Sequence, residues 1–169
     1  ETDINTESYL LKVYPLGALE FKYPFFRARN NKSEVLIPVA QVVYSTDASS
    51  PKQPIDEDSS TTEFDSTTLF KLKKIPGIDR QENGLRLNAG LQYFYQHKNK
   101  YEYNINLGQV YRNKNSEDFL PSSGLNGYES DILLSGNLSF RKNLEIASKH
   151  VYSKNFTLKR SNTSLKLTK

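Results

Sequence analysis

Gly84-Leu85-Arg86-Leu87-Asn88-Ala89-Gly90-Leu91-Gln92-Tyr93-Phe94-Tyr95-Gln96 decides the fold class, because its apolar residues recur every second position. Leu85, Leu87, Ala89, Leu91, Tyr93 and Tyr95 share one parity; Arg86, Asn88, Gln92 and Gln96 share the other, with Phe94 as the exception. A period of two is that of a β-strand with one greasy and one wet face. Four turn-like residues (His97, Lys98, Asn99, Lys100) follow, and the alternation resumes with Tyr101, Tyr103, Ile105 and Leu107 against Glu102, Asn104 and Asn106. This is a β-hairpin. Each arm runs about 12 residues, longer than the roughly 5–6 of soluble strands and enough for the roughly 9–11 that cross a bilayer at a tilt. Tyr93, Tyr95, Tyr101 and Tyr103 cluster beside the short turn, where an interfacial aromatic girdle would sit. A large soluble meander with cross-strand aromatic pairs has the same local pattern.

Working outward, the same period predicts strands over 7–24 (locally kinked at Pro15 and Gly17), 34–45, 84–96, 101–112, 128–140, 143–153 and 156–167. Over 34–45 both parities are apolar, so facing there stays ambiguous. Ile132, Leu134, Leu138 and Phe140 alternate with Asp131, Ser135, Asn137 and Ser139; Phe156 and Leu158 open the last strand. The expected architecture is all-β: an antiparallel up-and-down meander of about seven long strands, forming part of a transmembrane barrel. Connections 26–33, 97–100 and 141–143 are short; 46–83 and 113–127 are long. Short turns at one end and long loops at the other fit an outer-membrane barrel, with the long loops external. The short connection at 154–155 breaks that rule.

Composition narrows the function classes. The 169 residues have a mean hydropathy of -0.67, and no apolar run approaches the roughly 20 residues of a membrane-spanning helix. Alternating strands escape that test. Eleven Tyr and nine Phe suit strands and membrane interfaces. A net charge of +4, from 23 basic and 19 acidic residues, is scattered, which argues for plain surface charge over a nucleic-acid footprint. There is no cysteine, and His97 and His150 are far apart. With no nucleophile–base pair, Gly-rich phosphate loop or metal-spaced cluster, the sequence points away from an enzyme and calls for no cofactor. The acidic stretch in 46–67 lacks the spacing and Gly of a calcium loop and reads as solvated. Glu1 follows no initiator Met or signal segment, and Leu165-Lys166-Leu167-Thr168-Lys169 stops in mid-alternation, so the chain is expected to be cut from a longer one.

Loop 46–83 holds the most distinctive text: Phe64-Asp65, Leu69-Phe70, the basic run Lys71 to Lys74, then Gly77, Asp79-Arg80 and Gly84-x-Arg86. Read from the residues alone, this is a loop packed onto its own barrel by Phe64, Leu69 and Phe70, with Pro76-Gly77 as a turn. The phrase resembles the F-D-x-x-N-L-F and G-x-D-R steps of the barrel domain of the LptD (organic solvent tolerance) family, with Thr68 in place of the Asn. Tyr23-Pro24-Phe25, Val35-Leu36-Ile37-Pro38 with Gln41 to Tyr44, Gly108-Gln109-Val110-Tyr111-Arg112 and Asn155 to Arg160 resemble further elements in the family's order.

The resemblance implies a wall segment of the translocon that inserts lipopolysaccharide (LPS) into the outer leaflet of a Gram-negative cell outer membrane. It implies LPS and the bilayer as partners, with an LptE-like plug and an LptA-like periplasmic bridge. It also places this chain as a middle-to-late run of the barrel, without the gate strands or the periplasmic domain; the cysteines of many members have no counterpart. Leu85, Leu87, Leu91, Ile105, Leu107, Ile132, Leu134 and Leu138 are expected to face lipid. Arg86, Asn88, Gln92, Asn104, Asn106, Arg112, Asn137 and Lys149 are expected to face the lumen. The lumenal cations would meet either lipid phosphates or carboxylates such as Glu102, Asp131 and Glu145, the second being favoured. Two other classes compete: a small lipocalin-like barrel with apolar residues inward, and a soluble sandwich that binds carbohydrate through its aromatic residues.

Overall fold

The computed structural model describes residues 15–46, 62–75, 82–98, 100–116, 118–141 and 143–168. They form one antiparallel sheet of eight strands. In chain order these are β1 (Leu16–Lys22), β2 (Phe25–Arg29), β3 (Lys32–Ser45), β4 (Gly84–His97), β5 (Tyr101–Arg112), β6 (Ile132–Phe140), β7 (Leu144–Tyr152) and β8 (Leu158–Leu167), with a short α-helix, α1 (Ser66–Leu69), and a single 3-10 turn over Pro121–Ser123. Each strand from β3 onward pairs with the next, and β1 and β2 both pair with β3. The sheet is open among the described residues.

Eight strands stand against the expectation of about seven, and the difference lies at the edge of the sheet. The sequence pattern predicts one strand over 7–24 and a connection over 26–33. Within the described residues the edge strand is instead interrupted at Tyr23-Pro24 and resumes through Arg29, in unbroken register along β3 (Lys22↔Val39, then Phe25↔Leu36). The cause is Pro38: Tyr23 donates to Pro38 O at 3.4 Å, but Pro38 has no N–H to return the bond. The true connection is Asn30-Asn31, with Asn30 at a φ of 48°, which asparagine tolerates.

Two further boundaries move. β6 begins at Ile132 rather than 128, because Gly124 to Asp131 belongs to the loop that covers the sheet; Asp131 N donates to Gly124 O at 2.8 Å. Phe156 stands in the β7–β8 turn at a φ of 58°, not on the last strand, and Ser153 N closes that turn on Thr157 O at 2.8 Å.

Directly opposed residues of antiparallel strands point to the same side. The register Leu91↔Leu107↔Leu134 therefore places these three together, and Gln92↔Asn106↔Ser135 places the wet parity on the other side. The two sides differ in what lies over them. Among the described residues one is bare. Across the other fold residues 62–75, 113–116 and 118–131, making a core of Phe64, Leu69 and Ile75 from the first segment and Phe119 and Leu125 from the second. Val110, Leu133 and Val151 of the strands complete it. Full burial of Phe64 and Leu69 contributes about 1.5–3 kcal/mol each.

Candidate functional site

The loop-covered face is where polar chemistry gathers. Arg86 is 5% exposed and Asn88 0%, whereas Leu85 and Leu87 between and beside them are 45% and 37% exposed. Gln92, Asn104, Asn106 and Lys149 sit half-buried on the same face, the Arg112 side chain is buried there, and Asn137 is exposed. The bare face carries Leu91, Ile105, Leu107 and Leu138, all exposed, with Ile132 and Leu134 half-exposed. It also resolves the ambiguous strand: Leu36, Val42 and Tyr44 of β3 stand on the bare face, while Val39, Gln41 and Val43 are buried beneath the loop. Tyr95 and Tyr103 stack at 4.9 Å on the bare face by the short turns, and Tyr93 lies 5.9 Å from Tyr103. That face is not wholly apolar: Ser148 Oγ lies 2.8 Å from both His150 Nε2 and Thr163 Oγ1.

The covering segment is built locally by α1. Asp65 Oδ1 accepts from Thr67 N at 2.9 Å and Thr68 N at 2.8 Å, and Thr68 Oγ1 accepts from Asp65 N at 2.8 Å. This is a reciprocal capping box. Thr68 thus supplies the group that closes the box. Burial pushes the Asp65 carboxyl up, but the hydrogen bonds from Thr67 and Thr68 outweigh it and hold the group below its ordinary value.

Two anchors tie this segment to the strands, and a third contact closes it on itself. Glu63 pairs with Lys149 at 2.9 Å, which with Arg160 nearby holds the Glu63 carboxyl below the ordinary range. Arg86 donates to two carbonyls of the segment, Lys71 O at 3.2 Å and Leu72 O at 2.6 Å. Buried Lys74 donates to Thr68 O at 2.6 Å and Leu69 O at 2.5 Å at the helix end, where Thr68 O also accepts from Lys71 N at 3.3 Å. Burial, reinforced by Arg86, Arg112 and Lys71, pushes the Lys74 ammonium down to about 6.

The carboxylates that meet the candidate cations are not those expected. Arg86 and Arg112 share Glu82, and Lys149 takes Glu63. Asp131 instead binds Lys159 at 2.9 Å, and Glu145 lies 3.7 Å from Lys166. Both new partners come from loops, whose placement against a strand leaves no periodic trace. Of the loop phrase, Phe64, Asp65, Leu69 and Phe70 come together in and around α1, while Gly77, Asp79 and Arg80 lie outside the described residues. Beyond the loop, toward the short turns, an open cleft of about 590 Å³ is lined on this face by Phe94, Gln96, Glu102, Asn104, Asn137 and Glu145.

No helix among the described residues is long and apolar enough to cross a membrane, which leaves crossing by strands untouched. The family described as LptD, LPS transport system D, matches residues 1–169. Comparison with curated proteins gives no match.

Proposed function

We propose, from the premise that this chain belongs to the LptD family of LPS transport, that it forms a stretch of the outer-membrane translocon wall. The family's role is LPS transport and assembly at the outer membrane. In our reading the bare face meets the bilayer and the loop-covered face borders a hydrated conduit to the outer leaflet. Short turns then lie on the periplasmic side and the long loops outside. LPS would pass over the part of the covered face that the loop leaves open, at Gln92, Asn104, Asn106 and Asn137. An LptE-like plug and an LptA-like bridge are the partners the family suggests.

The observation that carries this is the inversion at Leu85, Arg86, Leu87 and Asn88: charged and amide side chains are buried while leucines stand open. A soluble sheet does the reverse. In lipid the inversion is favourable, since a misplaced Arg or Lys on the lipid face costs about 2–4 kcal/mol at mid-depth. β3 and β4 have 14 residues each and β5 has 12, more than a crossing needs. A lipocalin-like reading needs the opposite facing.

The test is photo-crosslinking in cells, with p-benzoylphenylalanine at Gln92, Asn106 or Asn137 of the protein expressed from its own gene. LPS adducts that form only while new LPS is being made are expected. Their absence at all three positions, in protein that reaches the outer membrane, would contradict the proposal.

A further inference from the structure

Gly90 and Gly108 face one another across β4 and β5 on the loop-covered side. Glycine inside a strand often marks a close approach by another part of the chain. That approach is visible here. A Cβ on Gly108 would overlap Leu69 Cδ2, and one on Gly90 would lie 2.7 Å from Phe70 Cζ. The pair is a socket with no room for a methyl group, filled by the two side chains that end α1.

The seat is fastened on either side. Before it, Glu63 is held by Lys149. After it, Arg86 holds the carbonyls of Lys71 and Leu72, while Lys74 stiffens the segment internally through those of Thr68 and Leu69. Lifting the segment would expose Phe64 and Leu69, both fully buried, and would part the Arg86 guanidinium from the Lys71 and Leu72 carbonyls. A gate that moves in each transport cycle is built the other way, with few buried contacts.

We infer that residues 62–75 stay seated on the Gly90–Gly108 socket while LPS passes, as a fixed narrowing of the conduit and not as a gate. The inference rests on the proposed transport role, and it assigns Gly90 and Gly108 as positioning residues. The cargo's route is then confined to the open cleft beside Phe94, Asn104 and Asn137.

A covalent lock tests it. The short Gly108-to-Leu69 approach puts the two Cβ positions near disulfide reach, about 3.5–4.5 Å. Leu69→Cys with Gly108→Cys is therefore expected to cross-link in the outer-membrane protein, read as a mobility shift without reductant. New LPS should then reach the cell surface within about twofold of the same double variant kept reduced, as it would if no opening step is needed. Slowing by about tenfold or more, relieved by reductant, would overturn the inference. So would failure of the double variant to cross-link in protein that has assembled. If the cysteines impair assembly, Phe70→p-benzoylphenylalanine can be photolysed after assembly; cross-linking to β4 with delivery unchanged is expected, and cross-linking that halts delivery overturns the fixed seat. The transport role fails separately: depletion of the protein with no change in surface LPS would remove it, and the inference with it.

Discussion

Asn88 donates its side-chain amide to Gln41 Oε1 at 2.6 Å, in a buried bridge between β4 and β3. Gln41 passes the chain on to Glu20 of β1 at 3.0 Å, following the register Asn88↔Gln41↔Glu20. A polar ladder thus crosses three strands on the side a soluble sheet would fill with hydrocarbon. Asn88→Leu leaves Gln41 Oε1 without that donor, and such a buried loss costs about 1–3 kcal/mol. The expected result is a lower denaturant midpoint for the detergent-purified protein.

Glu82 and Glu63 make a second contrast. Glu82 is buried and shared by two buried guanidiniums, those of Arg86 and Arg112, while the side chain of Glu63 is 60% exposed. Removing one partner of a buried ion pair costs about 3–5 kcal/mol, whereas an exposed pair is worth about 1 kcal/mol or less. Glu82→Gln should therefore destabilise the protein strongly in urea titration, and Glu63→Gln only slightly.

Lys74 gives the fold a pH dependence with a definite sign. Its ammonium is pushed from 10.5 down to about 6 in the folded chain. Between those values the unfolded chain binds more protons than the folded one, so stability rises with pH through this window. It should fall as the pH is lowered toward about 6 and then level off, with a slope from this group of up to about 1.4 kcal/mol per pH unit. Lys74→Met should flatten that slope, whatever it does to the absolute stability. An unaltered slope in the variant would count against a buried, titrating Lys74.

The strands of the hairpin 84–112 are legible because a period of two survives in every residue of Leu85 to Leu91 and Tyr101 to Leu107. The edge strand is harder. Its interruption depends on Pro38, which lies on another strand and opposes Tyr23 only once the register is known. Phe64, Leu69 and Phe70 stand out as apolar residues in a polar loop, so a packed loop can be read; the face it covers cannot. Gly90 and Gly108 are the available signal, being glycines inside strands with no turn to make. Glu63 gives none, since its ion pair with Lys149 joins positions 86 residues apart.

The facing of the strands carries the whole account, and site-directed spin labelling reads it directly. Nitroxides at Leu87, Leu107 and Leu138 of the membrane-assembled protein should be relaxed by oxygen, which concentrates in lipid. Labels at Gln92, Asn106 and Asn137 should respond to a water-soluble nickel complex. Labels on the leucines that respond to the nickel complex and not to oxygen would contradict an outer-membrane wall.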